Sequence, residues 1–224
     1  MEKTSKKIAV IGYGAIAEVI ASDLIRNNRP VIIAGRDITK AKALSEKLGK
    51  LAQPMEIGAA IKEADIIVLA IWFDAIKSLL YQYEEVLQGK IIVDPSNPIA
   101  PNGKGGFVKT ISQNESAGQF NAELLPKNAK LVKALGSLSA SSLAGASNQK
   151  PDRAVLFYAT DDSGIKTDVE ELISDMGFSP LYIGGIDQSI RIEVFGDLHE
   201  FGALGKTVSL DEAKKLSNAV PANK

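Results

Sequence analysis

Apolar positions fall into short continuous runs: "KIAVIG", "PVIIAG", "DIIVLAI", "KIIVDPS", "KLVKAL", "RAVLFYA" and "SPLYIG". A strand without polar alternation is one that meets helices on both faces rather than water on one. Between the first two runs, Ile16, Val19, Ile20 and Leu24 recur at helical spacing. After the second, Ala41, Leu44 and Leu48 do the same, with Gly49 placed to end the helix. Repeated strand–helix–strand order with short connections predicts an α/β chain of the Rossmann type. Its doubly wound, mostly parallel sheet would carry a smaller C-terminal α/β portion.

The rhythm breaks twice. "DPSNPIAPNGKGGF" contains three prolines and several other turn formers, which predicts a long loop, and long loops in compact domains tend to serve a site. "GSLSASSLAGASNQKP" is small and polar and marks a boundary. The expected division is a nucleotide-binding domain over 1–135 and a C-terminal portion over 136–224, packed closely on the first, for acceptor binding and dimerisation. "SLDEAKKL" reads as a capped final helix.

Composition narrows the function. A net charge of -1 over 224 residues supplies no broad field for nucleic acid or an anionic membrane, so phosphate recognition must be local. The absence of cysteine excludes disulfides, thiolate nucleophiles and thiolate metal sites, and one histidine excludes His-rich ones. No metal is expected. The basic start "MEKTSKK" precedes an apolar run too short for a signal-peptide core, and "IIVLAIWF" falls far short of the ~20 residues that span a bilayer. A cytoplasmic protein without membrane or nucleic-acid partners is the expectation.

The specific chemistry begins at "AVIGYGAIAEVIASDLI". Gly12, Gly14 and Ala17 form G-x-G-x-x-A directly after the first strand and at the opening of a helix. In this pattern the first glycine permits the tight turn, the second lets a pyrophosphate approach, and the third small residue packs helix on strand. Free N–H groups and the helix dipole then favour the diphosphate. At the end of the second strand, NAD binders usually place a carboxylate for the ribose 2′-OH, whereas this chain has Gly35-Arg36 and only then Asp37. A guanidinium grips a 2′-phosphate through parallel charged hydrogen bonds, and Lys40, one turn on, offers a second cation. Asp37 is placed to cap the following helix.

"IAVIGYGAIA", "IAGRDITKA", "IIVLAIWFDAI", "IIVDPSNP" and "GGFVKTISQNESAGQFNAELLP" together resemble the NADP oxidoreductases dependent on coenzyme F420, a deazaflavin. The same residues resemble the reductase domain of the STEAP metalloreductases. The resemblance implies that Gly12, Tyr13, Gly14, Ala15 and Ile16 hold the pyrophosphate, and that the Gly35 turn with Arg36 and Lys40 holds the 2′-phosphate. It implies that Ala70, Ile71 and Trp72 pack against the nicotinamide ribose and ring, with Asn97 and Pro98 framing the nicotinamide. Three positions depart from the family pattern. Gly35 stands where relatives often have Ser, Trp72 where they usually have Pro, and Gly136 where deazaflavin users have His or Asn.

These residues point to an NADP(H)-dependent oxidoreductase that moves hydride between the nicotinamide and a flavin-type or deazaflavin (F420) acceptor. Hydride transfer of that kind needs stacking, distance and dryness more than an acid or base. Two alternatives stand beside it: an imine or keto-acid reductase of the pyrroline-carboxylate type, and a non-enzymatic NADP(H)-sensing module. His199 is the candidate for orienting or protonating a bound ring, against a packed structural histidine. Trp72 and Phe73 suit ring stacking, core or a dimer contact equally. The neighbouring carboxylates Glu84-Glu85, Asp161-Asp162 and Glu170-Glu171 read as solvated surface, because adjacent helical residues do not share a face. The resemblance and the apolar segment "IRIEVFGDL" suggest a homodimer.

Overall fold

The computed structural model describes residues 6–218, so most of the basic start read at 1–7 lies outside the described residues. The N-terminal half runs β1 (Ile8–Ile11), α1 (Ala15–Arg26), β2 (Val31–Ala34), α2 (Ile38–Leu48), β3 (Ala52–Met55), α3 (Ile57–Glu63), β4 (Ile66–Val68), α4 (Phe73–Gln82), α5 (Glu84–Leu87) and β5 (Ile91–Asp94). A hairpin of β6 (Ile99–Pro101) and β7 (Phe107–Lys109) follows, then α6 (Ala117–Glu123), β8 (Lys130–Ala134) and α7 (Ala140–Ala146). The chain continues through β9 (Val155–Ala159), α8 (Lys166–Asp175), β10 (Ser179–Tyr182), a 3-10 segment (Ile186–Arg191) and α9 (Leu210–Ser217).

The main sheet has eight strands in the order β10-β9-β8-β5-β4-β1-β2-β3. Every pairing is parallel except β8 with β9, so β9 and β10 enter as a parallel pair running against the rest. The antiparallel join pairs Lys133 with Ala159 and Ala134 with Tyr158. From β1 the chain winds outward to β2 and β3, then returns to β4 and winds the other way. That reversal leaves a crevice at the carboxyl ends of β1 and β4, the place where open α/β sheets bind ligands.

The continuous apolar runs are buried on both faces. Ile8 and Val10 of β1 meet Ala17, Ile20, Ala21 and Leu24 of α1, on the face that also receives α2, α7 and α8. Ala9 and Ile11 point the other way, toward Ile57 and Ile61 of α3 and Ile76 and Leu80 of α4. Each of these valine, leucine and isoleucine side chains contributes about 1.5–3 kcal/mol on burial. The edge strands β3 and β10 each carry a proline, Pro54 and Pro180, which removes a donor from an exposed edge and discourages further pairing.

Three elements depart from the sequence reading. β3, "AQPM", was missed because an edge strand needs only one partner and little apolar content. The long loop after β5 folds part of itself into the β6–β7 hairpin. The small polar stretch read as a boundary contains α7, whose Leu143 and Ala146 are buried. Its signal was Ser139, whose hydroxyl caps the helix by accepting from Ser142 N–H, and its small residues allow close approach to α1. The final helix is capped as expected, by Ser209 accepting from Glu212 N–H.

Candidate functional site

The glycine loop occupies the crevice. Gly12 has φ +136°, a conformation that L side chains rarely adopt, and its N–H donates to Ala34 O at 2.7 Å. A Cβ there would stand 3.0 Å from the Ala70 carbonyl carbon and closer still to its oxygen, so only glycine lets β1 and β4 approach. Gly14 is the N-cap of α1 and has open space where a side chain would be. No side chain caps α1, so its first-turn N–H groups remain available to an anion. Ala15 is exposed at that mouth, Ile16 is half-buried, and Ala17 is fully buried against the sheet. These residues fit a dinucleotide diphosphate: backbone donors, an open cradle and a positive helix end converge.

The tip of β2 lies beside this loop. Arg36 is exposed, and among the described residues it pairs with no carboxylate. Asp37 is engaged as the cap of α2, accepting from Thr39 N–H at 2.9 Å and Lys40 N–H at 3.4 Å. Lys40 is exposed, its ammonium 5.5 Å from the centre of the Tyr13 ring. The Tyr13 ring in turn lies over Gly35.

On the other side of the crevice, Ala70 and Ile71 are half-buried after β4, and Trp72 is 62% exposed as the N-cap of α4. Phe73 packs edge-on against Phe120, ring centres 6.5 Å apart. Pro98 is buried and Asn97 half-buried beyond β5. Asn97 ties two segments together: its amide N–H donates to Gly136 O at 2.9 Å, and its oxygen accepts from Val194 N–H at 2.6 Å. Leu135, with φ +66°, holds the backbone of this turn in the left-handed region, a strain typical of sites that need a fixed geometry. A Cβ on Gly136 would stand 2.9 Å from the Pro95 carbonyl carbon. The backbone therefore requires glycine at this position.

Below the same loop sits a buried polar cluster that sequence reasoning passed over. Asp94 and Lys133, 1% and 2% exposed, pair at 2.9 Å. Asp94 also accepts from Asn121 at 2.9 Å and from Ser96 N–H at 2.7 Å, and Lys133 donates to Ser96 O. Glu193, equally buried, accepts from Ser116 Oγ, Ala117 N–H and Gly118 N–H at 2.7–3.0 Å, which fixes α6 to the C-terminal segment. The legible signal was a lysine and a glutamate inside otherwise apolar runs, "KLVKAL" and "RIEVF". A buried charge needs a partner, and only the tertiary fold names it.

His199 is 2% exposed and both ring nitrogens are engaged. Phe201 N–H donates to Nδ1 at 3.0 Å, which leaves Nε2–H to donate to Gly136 O at 3.1 Å. Burial pulls its pKa down to about 4, against a partial rescue by the Gly136 carbonyl. At neutral pH the imidazole is uncharged, a strut between the backbones of Gly136 and Phe201.

Next to His199 the chain forms a cavity of about 470 Å³, lined by Ser142, Gly145, Ala146 and Gln149 together with Glu200, Phe201, Gly205, Lys206 and Thr207. None of these belongs to the glycine loop. Hydrogen bonds tie its wall to the segment that follows β8: Glu200 N–H donates to Ser137 O, and its carboxylate accepts from Ser139 N–H at 2.9 Å. Burial alone would raise the Glu200 carboxyl, but the hydrogen bonds from Ser139 and Ser142 outweigh it and hold the group below its ordinary value.

Residues read as surface carboxylates have partners of their own. Glu170 accepts from the Tyr158 hydroxyl at 2.6 Å, Asp162 pairs with Lys130, and Glu171 lies 3.4 Å from Arg29. Lys104 is exposed at the hairpin turn. Among the described residues, no cluster of three or more His, Asp or Glu could hold a metal, and no helix is long and apolar enough to cross a membrane.

Comparison with known proteins agrees with this geometry. Residues 7–98 match the family model "NADP oxidoreductase coenzyme F420-dependent". The chain is 27% identical over 191 residues to metalloreductase STEAP3 of Rattus norvegicus, covering 85% of this chain and 36% of that protein. It is 29% identical over 150 residues to the F420-dependent NADP reductase of Methanothermobacter marburgensis, covering 61% and 66%. The chain therefore spans about a third of the first relative and two thirds of the second. A solved hypothetical protein from Sinorhizobium meliloti superimposes with a TM-score of 0.80 at 29% identity, covering 93% and 97% of the two chains. Residues 7–98, which the family model matches, carry the glycine loop, Arg36 and the Ala70–Trp72 wall.

Proposed function

We propose that the chain is an NADP(H)-dependent oxidoreductase that transfers hydride between the nicotinamide and a flavin-type or deazaflavin acceptor. The observation that carries this reading is the tip of β2. Among the described residues the Arg36 guanidinium there pairs with no carboxylate, and the adjacent acid, Asp37, is engaged as a helix cap. That arrangement suits a 2′-phosphate and offers nothing to a 2′-hydroxyl. When bound, the nicotinamide supplies or accepts the hydride.

The chain's own residues bind and orient. Gly12 to Ile16 receive the diphosphate, Arg36 and Lys40 the 2′-phosphate, and Ala70 to Trp72 with Asn97 and Pro98 frame the ring. The cavity beside His199 is within the size range of small-molecule sites and is the proposed acceptor space. The C-terminal portion, 136–224, would hold the acceptor and a dimer contact. Phe195 and Phe201 are about half exposed on it, which supports a homodimer. Its helices α8 and α9 have 10 and 8 residues, short of the long helical half that a pyrroline-carboxylate type reductase needs.

The test is NADPH oxidation with FMN, FAD, the deazaflavin, and a panel of imines and keto acids, paired with binding of NADPH and NADH to Arg36→Ala. The expected results are turnover with a flavin-type acceptor and a loss of NADPH affinity of about 1.5–3 kcal/mol, with NADH little changed. Tight NADPH binding with no hydride transfer in a single turnover to any acceptor would overturn the enzymatic reading.

A further inference from the structure

We infer that Lys133 is a positioning residue for the nicotinamide, acting through the backbone of the loop after β5 and not by touching the ring. The inference rests on the reading of Asn97 and Pro98 as the nicotinamide frame. Lys133 and Asp94 are register partners on the neighbouring parallel strands β8 and β5, so their side chains share the face from which Asn121 of α6 reaches Asp94. Together the two charges hold Ser96 by both of its backbone groups. Asp94 accepts from Ser96 N–H at 2.7 Å, and the Lys133 ammonium, bound to Asp94 at 2.9 Å, donates to Ser96 O. That carbonyl lies in the same peptide plane as the Asn97 nitrogen, so the direction of one fixes the start of the other.

Asn97 carries the constraint onward, donating to Gly136 O at 2.9 Å and accepting from Val194 N–H at 2.6 Å. Gly136 follows Lys133 closely in the chain, so one strand end supplies both the cation and the carbonyl. The Pro95 carbonyl faces Gly136 too closely for any Cβ there, so the two turns touch and a shift in either is passed to the other. An ion pair buried this deeply is a poor source of stability, because desolvation offsets the attraction and an apolar pair of similar volume serves as well. What an apolar pair cannot do is hold an amide and a carbonyl in fixed directions. Hydride transfer depends on such directions: a misplacement of about 1 Å, even from a change remote from the reacting atoms, can cost about a hundredfold in rate.

The test replaces the pair as a unit, Lys133→Met with Asp94→Leu, which leaves the net charge unchanged and the core filled. Leu172→Ala on α8, in the core on the opposite face of the sheet, is the control for lost stability alone. Calorimetry on the full chain measures affinity for NADPH and for 2′,5′-ADP, which carries the 2′-phosphate but no nicotinamide. In the double variant NADPH should weaken about tenfold while 2′,5′-ADP stays within about twofold. The single-turnover rate of hydride transfer at saturating NADPH should fall about a hundredfold. Leu172→Ala should leave all three near wild type. If the double variant matches Leu172→Ala in affinities and rate, the pair is structural only and the inference falls. It falls too if both ligands weaken together, since the change then reaches the whole site. If wild type binds NADPH no more tightly than 2′,5′-ADP, the ring is not held at this loop, and the inference falls while the Arg36 clamp stands. If the selective loss of NADPH appears but no acceptor draws hydride from wild type, the positioning role stands and the enzymatic reading alone falls.

Discussion

Stability between pH 4 and 6.5 is set in part by two buried groups that pull in opposite directions. His199, buried in its strut, is lowered from 6.5 to about 4, chiefly by desolvation. Asp23, fully buried on α1, is raised from 3.8 to about 6 by desolvation, which the Arg26 guanidinium at 2.9 Å only partly offsets. Its Oδ2 has no hydrogen-bond partner, and the neighbouring Ser147 hydroxyl donates to Met176 O instead.

As pH falls through this window, the unfolded chain protonates His199 while the folded one does not, so stability is lost. Over the same window the folded chain protonates Asp23 while the unfolded one keeps it ionised, so stability is gained. Each displacement corresponds to about 3 kcal/mol, a large share of a typical domain's 5–15 kcal/mol. In the wild type the two slopes largely cancel. Asp23→Asn should leave the His199 slope uncovered, with stability falling by up to about 3 kcal/mol from pH 6.5 to pH 4 relative to wild type. A neutral His199→Gln should show the reverse slope. The assay is urea unfolding at several pH values, read as the difference between variant and wild type so that the other carboxylates cancel. An Asp23→Asn profile parallel to wild type throughout would refute the reasoning.

Two further outcomes follow from the site. Lys133→Met leaves the Asp94 carboxylate buried without its cation and should cost about 3–5 kcal/mol, measured by denaturant unfolding; adding Asp94→Leu should recover part of that loss. Trp72 is the single tryptophan and is largely exposed at the expected nicotinamide wall, so NADPH should quench its fluorescence in a saturable titration. A signal that NADPH leaves unchanged would remove Trp72 from that wall.

Much of the fold was legible because its signals are local. The continuous runs "KIAVIG" and "DIIVLAI" announce strands covered on both faces, and G-x-G-x-x-A announces a turn that only small residues can make. Gly12 needs its positive φ, Gly14 its open space, and Asp37 its cap position, and each requirement is met by a residue and its near neighbours. β3 was not legible, because an edge strand needs one partner and little hydrophobicity. α7 was masked by its small residues, which suit a linker in composition and a close helix contact in space.

The sequence by itself determined seven of the eight strands of the main sheet, the glycine loop and the positively charged tip of β2, since each depends on residue type and short spacing. Only the tertiary structure decided what those residues face. It paired Lys133 with Asp94 across the sheet, and Glu193 with the start of α6 from far along the chain. It also withdrew His199 from solvent and set Tyr13 over Gly35. These pairings link residues distant in the chain, and the cost of leaving a buried polar group unpaired is what selects them.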